Sequence, residues 1–134
     1  MKRLAWTLAA SLALGAAAVN AASRSTLDEA EPSMVVFGGA PAQTQSRTNP
    51  YAGNPEAARA GRKLFRKHCA GCHGSDGEGT LRAPSLVSTV VRQAAPGEIE
   101  WVVRNGRIRH GMPSWSGLPE QRRWQIVTFM QSKQ

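Results

Sequence analysis

Two cysteines three positions apart, with a histidine directly after the second, constrain this chain more than any other feature: Cys69-Ala70-Gly71-Cys72-His73. They are the only cysteines among its 134 residues. The part of the sequence patterned to fold, Tyr51 to Gln134, spans 84 residues. A domain of that size buries a modest fraction of its surface and is commonly reinforced by a disulfide, a metal or another added element. The cysteine pair is where such a reinforcement would attach.

At the end of a helix, two thiols at this spacing can each form a thioether to one of the two vinyl groups on a porphyrin edge. The next residue then points its imidazole at the iron. C-x-x-C-H is accordingly the attachment motif of c-type haem, and the small Ala70 and Gly71 let the chain wrap closely. Three other readings of the pair stay open. A dithiol redox motif shares C-x-x-C but sits at a helix N-terminus, where the dipole lowers the thiol pKa; here a helical pattern precedes the pair. A zinc site needs two further ligands, and the other histidines, His68 and His110, form no finger-like pair. A plain disulfide suits an oxidising compartment.

The compartment is suggested by the first residues. Met1-Lys2-Arg3 is positive, Leu4 to Val19 is uncharged and rich in Ala and Leu, and Asn20-Ala21-Ala22 brings small residues. Residues 1–21 therefore read as a secretory signal peptide, cut after Ala21, and the protein as periplasmic. The alternative is a retained N-terminal membrane anchor, for which the apolar run is near the lower length limit. Residues 22–50 read as a flexible linker or tail, with Ser, Thr, Gly and Pro recurring without period. The apolar island Met34-Val35-Val36-Phe37 within it carries no assignment. Residues 51–134 form the domain.

The chain has a formal net charge of +8 at pH 7, and from Tyr51 onward 13 basic residues face 6 acidic ones. A basic folded part suits an acidic partner, nucleic acid or an anionic surface. Export and the lack of any RNA- or DNA-binding motif argue against nucleic acid.

Helical signals dominate the domain. Asn54 is a good N-cap, Pro55 suits the first helical position and Glu56 complements the positive end of the dipole. Ala57, Gly61, Leu64 and Phe65 then share one face. The helix should run into Cys69 and stop at Gly71 or Gly74. A Gly-rich loop follows to Pro84, then a short helix near 86–92 and a stronger one over 98–104, ended by Gly106. The last helix should start near Pro119-Glu120 and reach about Ser132, burying Ile126, Phe129 and Met130. With no alternating strand pattern, the fold class is all-α.

A second residue type completes the chemistry. His110-Gly111-Met112-Pro113 lies in a Gly-flanked loop, and Met112 falls 39 residues beyond His73. A haem held by histidine on one side needs a ligand on the other, and a thioether is a weak donor that raises the potential. Met130 belongs to a helix face and reads as core filler. Met112 has no apolar period around it and is the expected second ligand, with His110 its rival.

From about Pro55 to the end the chain resembles the class I, mono-haem cytochrome c family. The matching features are a first helix with Gly61 and Phe65, the CAGCH run, the loop Ala83-Pro84-Ser85-Leu86, the Asn105-Gly106-Arg107 and Gly111-Met112-Pro113 segments, and a closing helix with aromatics. The resemblance implies N- and C-terminal helices crossing around one covalently bound haem c, with Gly61 and Phe65 meeting Ile126 and Phe129. It implies that the Pro84 carbonyl accepts the His73 ring N–H, a bond that fixes the ring and tunes the metal, and that Trp115 lines the haem. The iron ligands would be His73 and Met112. The expected function is electron transfer without a substrate at iron, so a carrier and not an enzyme. Its partners would be redox proteins with acidic docking surfaces, a dehydrogenase donor or a terminal oxidase acceptor. Two alternatives remain: a haem subunit of a periplasmic dehydrogenase complex, and a ligand-binding or catalytic haem protein with an open sixth position. Arg82, Arg104, Arg107 and Arg109, with Arg66 and Lys67, are the basic residues expected around the haem edge.

Overall fold

A computed structural model describes residues 37–133. The expected signal segment and Met34 to Val36 lie outside them. The first long helix starts where its sequence signals place it. Asn54 accepts from the N–H groups of Glu56 and Ala57 at 2.9 and 3.1 Å, opening α1 (Pro55–His68). α1 buries Ala57, Gly61 and Phe65 and leaves its basic face in water. Its last turn donates from the Cys69 N–H to the Phe65 carbonyl at 2.7 Å. The chain then breaks and makes one more turn, α2 (Ala70–His73), which Gly74 ends. Three helices follow: α3 (Thr89–Gln93), α4 (Pro96–Asn105) and α5 (Glu120–Gln131). The described residues contain no strand, only an isolated bridge between Arg107 and Met112. The fold is all-α, as the sequence predicts.

α1 crosses α5, the most extensive pairing of elements in the fold. The crossing is close because Gly61 has no side chain: a Cβ there would overlap the Gln125 carbonyl and stand 3.0 Å from the Phe129 Cβ. The Phe65 and Phe129 rings meet at 5.2 Å, tilted by 53°, an arrangement worth about 0.5–1.5 kcal/mol beyond area burial. Phe129 thus takes its expected part. The closest neighbour of Gly61, however, is the backbone of Gln125, since a glycine at a helix crossing admits main chain. Phe65, Ile99, Ile126 and Val127 form the fully buried centre, with Val91, Val102, Trp124 and Met130 around them.

The structure differs from the sequence reading over residues 37–50, read there as linker. Phe37 is buried in the core. A 3-10 turn, Ala42–Ser46, lies against α4 where Gly97 leaves room; a Cβ on Gly97 would overlap the Thr44 carbonyl. Arg47 pairs with Glu100 at 2.8 Å and also with Glu120. Asn49 donates from Nδ2 to the Thr128 hydroxyl at 2.9 Å. Glu100 is fully buried, and its other oxygen accepts from the buried Arg123 at 2.7 Å. The segment is polar in composition, but its few anchoring side chains each find a partner far along the chain.

Candidate functional site

Cys69, Cys72 and His73 come together because α1 ends at His68 and α2 turns immediately after it. The two cysteines are free thiols, Cys69 half-buried and Cys72 exposed. Burial, and to a lesser degree the neighbouring Cys72, push the Cys69 thiol up to about 11. A redox dithiol works through a stabilised thiolate, so Cys69 is poised the opposite way. Among the described residues, no group of three or more His, Cys, Asp and Glu side chains is placed to hold a metal ion.

The loop after His73 folds back on it. The Gly79 N–H donates to the His73 carbonyl at 2.8 Å, Thr80 N–H to Ala83 at 2.9 Å, and Leu86 N–H to Gly77 at 2.8 Å. The Thr80 hydroxyl donates to the Cys72 carbonyl. These bonds bring the Pro84 carbonyl to 3.0 Å from His73 Nδ1. A carbonyl can only accept, so Nδ1 carries a proton, and in the neutral ring Nε2 then keeps the lone pair. That is the tautomer a metal-binding histidine needs, with its ring already fixed.

Met112 is set by a second loop. α4 ends at Gly106 with φ +70°, and a Cβ there would stand 2.5 Å from the Pro113 carbonyl carbon. The chain therefore presses back onto the end of α4. Arg107 and Met112 pair through both backbone bonds, at 2.9 and 3.2 Å, around the 3-10 turn Ile108–His110. Met112 is half-buried against the core, whereas its rival His110 is exposed. The Trp115 N–H donates to the Val103 carbonyl at 3.1 Å. Its ring lies 4.9 Å from that of His68. His68, which the sequence reading weighed only as a zinc ligand, thus links the cysteine helix to the methionine loop. No local pattern signals a contact between residues so far apart.

Among the described residues, the two large apolar side chains left exposed are Leu81 and Ile108, one on each of these loops. Two free thiols, an imidazole with Nε2 available, a thioether and apolar side chains on both loops are a donor set and a setting that fit haem. Of the basic residues expected around its edge, Arg66, Lys67, Arg82, Arg104 and Arg109 are exposed. Arg107 is different: it is half-buried, and Nη1 donates to the Gly38 carbonyl at 3.2 Å.

Residues 56–130 match the family described as cytochrome c oxidase, cbb3-type, subunit III. Over 67 residues the chain is 36% identical to the cbb3-type cytochrome c oxidase subunit FixPc of Rhizobium leguminosarum bv. viciae, a match covering 48% of this chain and 23% of that protein. The chain therefore matches under a quarter of that relative's length. Among solved structures, cytochrome CL from the marine methylotrophic bacterium Methylophaga aminisulfidivorans MPT is similar, with a TM-score of 0.56 at 29% identity, over 63% of this chain and 58% of the other.

Proposed function

Because the chain belongs to the family of cytochrome c oxidase, cbb3-type, subunit III, and so is an electron-transfer protein with haem c, we propose that His73 and Met112 ligate its iron and that it carries single electrons in the periplasm. When bound, haem c supplies a reversible one-electron iron couple. Cys69 and Cys72 are the residues that would tether it through thioethers. His73 presents Nε2 while the Pro84 carbonyl holds its other nitrogen, and this 3.0 Å contact is the observation that carries the reading. Met112, clamped to Arg107 on both sides of its backbone, would offer the second ligand. With both His73 and Met112 as ligands the iron would offer no open position to a substrate, which favours a carrier over a gas-binding or catalytic protein.

The match to an oxidase subunit supports a terminal oxidase as the electron acceptor, in preference to membership of a dehydrogenase complex. Exposed Arg66, Lys67, Arg82, Arg104 and Arg109 support an acidic docking surface on the partner. The leader-like residues 1–21 support export.

The test is the intact mass of protein matured in a host with haem-attachment machinery. One haem should remain after acid-acetone extraction, and extractable haem would overturn the tether. Met112→Ala should keep that haem, lower the potential and admit carbon monoxide or imidazole. A variant matching the parent in spectrum and potential would exclude Met112 as ligand.

A further inference from the structure

The segment before α1 reaches the methionine loop, and the contact passes through one residue. Arg107 holds Met112 by two backbone bonds, at 2.9 and 3.2 Å. Its side chain donates to the carbonyl of Gly38 at 3.2 Å. Gly38 cannot drift freely, because Phe37 beside it is buried in the core and Gly39 lies against the Trp101 ring on α4, with a built Cβ only 3.8 Å from it. Further along, Thr44 packs on Gly97, Arg47 is paired to the buried Glu100 at 2.8 Å, and Asn49 is bonded to Thr128 at 2.9 Å. The segment is thus fastened to α4 and α5 at several points, and its Gly38 carbonyl meets the turn that carries Met112.

We propose that residues 37–49 act as a strap that keeps the Met112 turn closed, with Arg107 as the positioning residue that transmits its hold. The proposal rests on Met112 being the axial ligand. A thioether is the weaker of the two ligands, so how often it leaves the iron depends on how firmly its turn is held. The turn's own backbone bonds, Arg107 with Met112, His110 N–H to Arg107 and Gly111 N–H to Ile108, all stay within residues 107–112. Something outside must fix the pair to the body of the domain, and the strap supplies one such attachment.

Imidazole binding to the ferric, haem-attached full chain reads this directly. At saturating imidazole the binding rate is limited by opening of the Met112 turn. Arg107→Leu and Phe37→Ala should each raise that limiting rate by about tenfold, as expected for loss of one hydrogen bond or one anchor, and both should lower the potential. Arg107→Lys, which keeps a donor, should recover part of the effect. Ile126→Val loosens the core away from the loop and should leave the limiting rate alone. Should Phe37→Ala fail to fold, Arg47→Gln releases the strap at its ion pair with Glu100 and should still raise the rate. Rates and potentials equal to the parent, or an acceleration no larger than in Ile126→Val, would overturn the strap. Met112→Ala separates the two readings: it should bind imidazole with no limiting rate. If it retains the parent's limit, the ligand assignment fails and not merely the strap.

Discussion

The loop that carries Pro84 and the turn that carries Met112 are built in opposite ways. The first closes on itself. Among its internal bonds, His73, Gly77, Thr80 and Cys72 find their partners at Gly79, Leu86, Ala83 and Thr80, and the longest of these spans, His73 to Pro84, is eleven residues. Its distant tie is the exposed pairing of Asp76 with Lys133 at 2.9 Å. Short closures cost little chain entropy, so this side can form with the cysteine helix as a unit. The Met112 turn closes residues 107–112 by backbone bonds, is tied to the end of α4 where Trp115 N–H donates to Val103 and the Ser114 hydroxyl to Arg104, and leans further on distant residues. Arg107 reaches Gly38, 69 positions away, and Trp115 packs on His68. A turn held from afar is only as firm as its remotest attachment. The histidine side should therefore stay assembled under conditions in which the methionine side opens.

The largest effect expected from this contrast comes at a residue in neither loop. Glu100→Ala removes the partner of the buried Arg123 and the main anchor of Arg47. Breaking a buried ion pair on one side costs about 3–5 kcal/mol, which urea unfolding followed by helical circular dichroism should register. In the same titration the weak red absorption band of methionine-ligated ferric haem should vanish at lower urea than the helix signal. Coincident loss of the two would abolish the distinction between the sides.

Gly106→Ala acts next, and on the methionine side alone. A side chain at φ +70° that meets the Pro113 carbonyl should cost about 1–3 kcal/mol. The haem should remain attached and the red band should weaken. A variant that loses haem in place of the band would show that the two loops are not separable.

The smallest effect belongs to the histidine side. Asp76, on the loop between His73 and Pro84, accepts from Lys133 at 2.9 Å and pairs with Arg62 at 3.0 Å. The Lys133 hydrogen bond, then the charges of Lys133 and Arg62, hold its carboxyl below the ordinary value of 3.8. With the folded value below the unfolded one, this contribution is present above 3.8 and is lost as pH falls through the folded value. The group is exposed, so the gain is small. Asp76→Asn should shave the acid limb of a urea-midpoint series and leave the red band at neutral pH untouched. An acid limb identical to the parent's would mean the pairing does not steady the loop.

Where α1 begins, α4 ends and α5 begins was legible in the sequence, because those signals act within one turn of chain. The starts of α3 and α4, expected from about 86 and 98, fall instead at Thr89 and Pro96. Asn54-Pro55-Glu56 opens α1, Gly106 closes α4, and Pro119-Glu120 precedes α5, each as local chemistry dictates. The proposed roles of Cys69, Cys72 and His73 were legible because their motif, too, lies in adjacent positions. The Pro84 contact was implied only through family resemblance, since nothing in the spacing of Pro84 points its carbonyl at His73. Residues 37–49 look like linker by composition and are packed by tertiary structure. Glu100 sits in a stretch, Glu98-Ile99-Glu100, whose local pattern gives no hint that its charge is buried; α5 brings Arg123 to it. The pattern of apolar residues states which face of a helix leaves water, but a polar side chain's partner is chosen by whatever the fold brings beside it. Arg107 shows this most plainly: by sequence one more basic residue of an expected docking rim, it is turned by the fold toward a carbonyl 69 positions earlier in the chain.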